Sequence, residues 1–300
     1  MALRSLDNTL PTSTPERPKK LPKTPAIHPQ LNDENRAPQP PNADPSVDYI
    51  PSEDLHPIPD TESKLQIVME GLESRDWIKV CESLNDVRRF ALHHSDLLLP
   101  NLEKVVVVLV KAMKNPRSAL CKTAIMAASD IFNGFGRGLV QSDGSDAFDQ
   151  LLLQLLLKAS QDKRFVCDEA DKALHVMVGT THVLHLLRKL RAYVSHANMR
   201  VRAKAAVCIS HCVSRMGLQE MREFGLDSLL QVAASLMNDR LPEAREAARS
   251  TVGSIYGAFS GGDDEELKDS EVSVGEMWQN LCNSSLPPIQ AQCLMKMISS

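Results

Sequence analysis

From residue 61 onward, apolar residues recur at spacings of three and four, with polar residues filling the other positions. That rhythm belongs to helices that bury one face. No convincing run alternates with a period of two. The most strand-prone stretch, VVVVLV at 105–110, lies inside LEKVVVVLVKAMKN, whose length and charged ends favour a buried helix. Breaks in the rhythm divide the chain into about twelve expected helices: 61–72, 76–94, 101–114, 117–135, 145–160, 164–178, 180–195, 199–216, 223–238, 242–259, 271–283 and 286–298. Only five prolines lie beyond residue 60, at 100, 116, 242, 287 and 288, and each falls at a break.

These helices pair off in order. The second helix of each of the first five pairs opens with a related pattern: IKVCE at 78, LCKTA at 120, VCDEA at 166, VRAKA at 201 and AREAA at 244, at intervals of 42, 46, 35 and 43 residues. A degenerate period near 40 in an all-helical chain is the signature of a HEAT or armadillo solenoid. A lone pair cannot bury its apolar face, so stacked neighbours supply a continuous core. The fold class expected is therefore all-α, an α-solenoid of about six helical pairs. GFGRGLVQSDGSD at 134–146 and the acidic SGGDDEELKDS at 260–270 read as long connections between pairs.

Residues 1–60 break the pattern. They hold thirteen of the eighteen prolines and a locally basic PERPKKLPKTP. Such a composition forms neither an amide ladder nor a packed core. Residues 1–60 are thus expected to be a disordered Pro-rich segment, and 61–300 the folded domain. Thr14 and Thr24, each followed by Pro, mark candidate docking or phosphorylation positions in the tail.

Composition narrows the functional classes. The hydrophobic fraction is 43% with only 4% aromatic, so the core is aliphatic and suits helix packing. The formal charge of −4 offers no global basic field for nucleic acid. The N-terminus lacks an apolar signal region, and no apolar run reaches the length of a membrane span. Seven cysteines, an odd number, lie inside helical patterns. The expectation is a soluble, intracellular protein with reduced, buried thiols.

Catalytic chemistry is hard to find. GFGRG at 134–138 follows a helix rather than a strand and so fails as a phosphate loop. Cys208, His211 and Cys212 share a helix face, but no second pair completes four zinc ligands, and two core cysteines with a packed or rim histidine explain them better. His182 and His185 read as structural. No catalytic residue, metal or cofactor is expected, and the chain reads as a non-enzyme.

Charge is the informative feature. The turns inside successive pairs carry Arg75, then Lys114 and Arg117, Lys163 and Arg164, Arg200 and Arg202, and Arg240 and Arg245. In a stacked solenoid such turns line up along one edge, so an acidic protein would present a basic ridge suited to an acidic partner. Trp77, one of two tryptophans, opens the second helix of the first pair, at the position that reads as basic in the following four. By spacing alone it also fits the core stripe Trp77, Val80, Leu84, Val87 and Ala91.

The segments DWIKVCESLNDVRRF, KNPRSALCKTA, QDKRFVCDEADKAL and HANMRVRAKAAV together resemble the TOG domain, the six-HEAT-repeat tubulin-binding module of microtubule regulators, most closely of the CLASP and crescerin type. The resemblance covers roughly 61–300. Plant armadillo-type proteins that bind microtubules or actin look similar. The resemblance implies that the turns within the pairs grip tubulin: Trp77 as the aromatic of the first turn, Arg117 and Ser118 in the second, Lys163 in the third, Arg200 with Arg202 in the fourth, and Arg240 or Arg245 in the fifth. The sequence departs from the family pattern at Val80 and Cys81, where a basic residue is frequent, and at Pro242 in the fifth turn. The implied function is non-catalytic binding of tubulin or microtubules in the cytoplasm and cytoskeleton, with other cytoskeletal proteins as further partners. The alternative is a general HEAT/ARM scaffold for actin, a kinase, a phosphatase or a transport partner.

Overall fold

A computed structural model describes Val47, residues 49–139, 146–261 and 273–299. The described residues are helical with short connections and contain no strand. The helices are α1 (Thr61–Leu72), α2 (Trp77–His93), the single turn α3 (Ser95–Leu98), α4 (Leu102–Met113), α5 (Ser118–Leu139), α6 (Asp146–Ala159), α7 (Arg164–Thr180), α8 (Val183–Arg191), α9 (Met199–Ser214), α10 (Leu218–Phe224), α11 (Leu226–Leu236), α12 (Pro242–Gly261), α13 (Val274–Ser285) and α14 (Pro288–Ser299). The VVVVLV run lies within α4, as its length required.

Six pairs follow: α1–α2, α4–α5, α6–α7, α8–α9, α11–α12 and α13–α14. The second helices stack on one another, α2 on α5, α5 on α7 and α9 on α12, while α4 stacks on α6 among the first helices. One apolar core runs through all pairs, with Leu84, Phe90, Leu109, Ile131, Leu155, Leu190, Val213 and Ile255 fully enclosed. In the last pair Trp278 is buried, its ring edge-on to Tyr256 and Phe259 of α12.

Three local features differ from expectation. Residues 134–139 continue α5 rather than opening a Gly-rich loop. The glycines are there for close approach: a Cβ on Gly134 would lie 2.3 Å from the Ala91 carbonyl oxygen of α2, and one on Gly136 would lie 2.7 Å from Thr180 of α7. The expected helix over 223–238 is broken at Gly225, whose φ of 103° lies in a region L side chains avoid, so α10 ends there and α11 begins. Most of the acidic stretch at 260–270, and residues 1–46 with Thr14 and Thr24, lie outside the described residues.

The third difference is a strap. Residues 49–60, expected to share the disorder of the Pro-rich segment, are packed onto the domain. Leu55 and Ile58 are buried. Ser52 opens a single 3-10 turn and donates its hydroxyl to Asp130 Oδ1 of α5 at 2.7 Å. Asp130 Oδ2 accepts from Arg88 Nε of α2 at 2.6 Å, and both side chains are fully buried. Arg88 also donates to Ser52 Oγ at 3.2 Å and Asn85 Oδ1 at 3.1 Å. His93 Nε2 meets the Leu55 carbonyl at 2.7 Å, and Lys122 Nζ sits 4.5 Å from the centre of the Tyr49 ring. Apolar anchors thus hold the strap although its composition is proline-rich.

Candidate functional site: the edge formed by the turns within the pairs

The second helix of each of the first five pairs starts from a residue whose carbonyl accepts the first helical N–H. These residues are Asp76, Arg117, Lys163, Asn198 and Leu241, with bonds of 3.0 to 3.3 Å. Asx side chains shape four of the five turns: Asp76 accepts from Ile78 N, Asn115 from Arg117 N, Asn198 from Arg200 N and Asp239 from Leu241 N, at 2.9 to 3.0 Å. Each such bond satisfies an N–H that the helix start leaves open. Aligned from these starts, Trp77 corresponds to Ser118, Arg164, Met199 and Pro242. Its position is therefore basic in one of the other four turns, not in all four. The cations stand at neighbouring positions, which a one-residue slip in the IKVCE register concealed.

The turns do form a single edge, because side chains link each to the next. Arg117 of the second turn lies over Trp77 of the first, 5.5 Å from the ring centre. Lys163 of the third donates to Ser118 of the second at 3.0 Å. Arg200 of the fourth meets Asp162 of the third at 2.6 Å and donates to the Ser160 carbonyl at 3.3 Å. Arg202 of the fourth meets Asp239 of the fifth at 2.8 Å. Trp77 is half-buried: its ring packs against the core while remaining accessible at the turn.

The basic residues fall into two groups. Arg117, Lys163 and Arg240 are exposed and make no ion pair with a carboxylate among the described residues. Arg200 is exposed but engaged with Asp162. Arg202 and Arg245 are half-buried and bind the turns themselves. Arg202 donates to the His196 carbonyl at 2.7 Å, and Arg245 to the carbonyls of Asp239 and Arg240 at 2.7 and 3.0 Å. Burial raises the Asp239 carboxyl, but hydrogen bonds from the Leu241 N–H and the Arg202 guanidinium outweigh it and hold Asp239 below its ordinary value. Sequence spacing alone could not separate the two groups, since the carboxylates that pair with the arginines come from neighbouring repeats. It also missed Phe165 and Met199, which are 45% and 41% exposed beside the third and fourth turns. A large apolar residue at the very start of a helix was the available signal.

A second ladder runs along the stacked second helices. Lys122 of α5 meets Glu169 of α7 at 3.6 Å, and Lys204 of α9 bridges Asp171 of α7 and Glu243 of α12, both at 3.1 Å. Beside it, His175 and His211 meet edge to face with ring centres 5.7 Å apart. Burial, and next the His175 ring, lower the pKa of His211. Burial raises the Cys208 thiol far above its ordinary range and pushes Cys212 up to about 12. Both therefore remain protonated, poor metal ligands and poor nucleophiles. No helix among the described residues is long and apolar enough to cross a membrane.

Solved structures share this fold of stacked helical pairs. The TOG domain of C. elegans Zyg9 superposes with a TM-score of 0.57 at 14% identity, over 82% of this chain and 91% of that one. The MAST/Orbit N-terminal domain gives 0.51 at 15% identity, over 77% and 95%. The resemblance to the TOG-domain family read from the sequence therefore stands. At the level of sequence, the chain is similar to TOG array regulator of axonemal microtubules protein 1. It is 27% identical to the Mus musculus protein over 208 residues, 68% of this chain and 11% of that protein. It is 31% identical to the Homo sapiens protein of the same name over 138 residues, 45% of this chain and 8% of that protein. The chain thus spans a small fraction of the length of these relatives. No family model matches it.

Proposed function

We propose that this protein binds tubulin or microtubules, without catalysis, through the edge of turns headed by Trp77. One observation carries the reading: a half-buried tryptophan and the exposed cations Arg117 and Lys163, which pair with no carboxylate among the described residues, stand on consecutive, mutually linked turns of a TOG-type fold. An aromatic anchor provides affinity, and flanking charges provide orientation and encounter rate. The relatives are named as regulators of axonemal microtubules, which supports the same target. A rigid edge that fits one conformation of tubulin better than another shifts assembly by that difference in affinity. Residues 61–300, with the strap 49–60 packed on them, serve as the binding domain, and the Pro-rich basic stretch before the strap adds avidity. The site of action is the cytoplasm, on the microtubule cytoskeleton, with other cytoskeletal proteins as further partners and no nucleic acid.

In this reading Trp77, Arg117, Ser118, Lys163 and Arg240 face the partner, with Arg200 joining if Asp162 releases it. Arg202 and Arg245 hold the turns in shape. The test is gel filtration with purified tubulin at low salt, comparing wild type with Trp77→Glu. Wild type co-elutes and the variant does not, while both keep the same helical circular dichroism. A wild type that neither co-elutes with tubulin nor co-sediments with microtubules overturns the proposal and favours a scaffold for a different partner.

A further inference from the structure

Between the first and second turns the edge is not flush. A cleft of about 420 Å³ opens beside Trp77. Its walls are Trp77 and Val108, and its floor is Leu72, Val80, Ala112 and Leu120. Val108 belongs to α4 and is only partly buried, while Ala112, one turn further on, is too short to fill the space. Protein interiors close-pack, so an apolar recess of this size at the surface is a place kept for something else. Its volume lies within the range of about 300–1,000 Å³ usual for binding pockets.

The rim indicates the occupant. Arg75 and Lys111 stand on it, both exposed, and neither pairs with a carboxylate among the described residues. Its one carboxylate, Glu73, is already held by Lys104 at 2.7 Å. Arg117, over the Trp77 ring, adds a third cation nearby. The recess is therefore apolar inside and positive around its mouth.

We infer that this cleft receives an apolar side chain of an acidic segment on the partner, with Arg75 and Lys111 meeting the flanking carboxylates. Resting on the tubulin-binding reading, this names the chemistry that tubulin presents to the first two turns. It gives Trp77 a second role as the wall of a pocket. It also draws affinity toward the first repeats, because Arg200, Arg202 and Arg245 of the fourth and fifth turns are engaged within the protein.

The test fills the pocket without touching the charges. Val108→Phe places a ring in the cleft from a partly exposed position. Tubulin affinity, measured by fluorescence anisotropy, falls about tenfold or more. The thermal midpoint holds, and the slope of log affinity against log salt stays that of wild type, since every cation remains. Charge reversal at two exposed positions, Arg75→Glu with Lys111→Glu, weakens binding and flattens the salt dependence. It decides the question if Val108→Phe does not fold. If either folded variant binds tubulin as tightly as wild type while Trp77→Glu does not bind, the cleft inference is overturned and the tubulin reading survives. If wild type itself does not bind tubulin, both fall.

Discussion

Arg88 is the largest fully buried side chain, and its guanidinium is held by Asp130, Ser52 and Asn85. Removing one member of a buried pair leaves the other charge without a partner, at a cost of about 3–5 kcal/mol. Arg88→Ala should therefore lower the urea midpoint sharply, whereas Arg202→Ala, which frees a partly exposed pair, should lower it far less. Arg88 was detectable in outline: it stands four residues after Leu84 on an apolar stripe, where a cation needs a buried partner. That the partner is Asp130 was not legible, because the two sit 42 residues apart and meet only when repeats stack. Trp77 was legible as a residue, but its exposure was not, since the spacing fitted core and edge alike. His211 supplies a pH dependence. Its folded pKa is depressed, so the unfolded chain takes up the proton first, near the ordinary imidazole value of about 6.5. Stability should fall as pH drops through that value and level off below the depressed one. Urea midpoints at pH 7.5 and 5.5 check this, and His211→Gln should reduce the difference between them.

At the scale of the helices, position was more legible than contact. Eleven of the expected helices recur with ends shifted by a few residues, because periodicity and proline breaks report which face is buried and where a helix stops. The failures lie at glycine. Gly134 and Gly136 were read as signs of a loop, yet they let α5 pass close to α2 and α7. A single sequence does not distinguish a glycine needed for turning from one needed for closeness. The two roles predict different responses. Gly134→Ala would favour a loop-to-helix conversion if flexibility were the issue. Here its methyl must displace the Ala91 carbonyl, so it should destabilise by about 1–3 kcal/mol despite alanine's better helix propensity. Thermal unfolding of Gly134→Ala beside Gly138→Ala, where nothing lies within 4 Å, separates the two.

At the scale of the whole molecule, each pair touches mainly its neighbours, so stability and rigidity add along the chain. The ladder on the stacked helices and the links between turns join the same repeats at different places, which keeps the edge from flexing one turn at a time. The strap adds a connection of a different kind. It rests on α2 at Arg88 and His93 and on α5 at Asp130 and Lys122, the second helices of the two pairs that bound the cleft. Removing residues 47–58 should accelerate hydrogen exchange in α2 and α5 and weaken the proposed tubulin binding even with every edge residue in place. The strap in effect works as a calliper: its anchor points on α2 and α5 set the distance between the two turns that open those helices, and any partner that slackened it would widen the gauge against which, on the proposed reading, tubulin is measured.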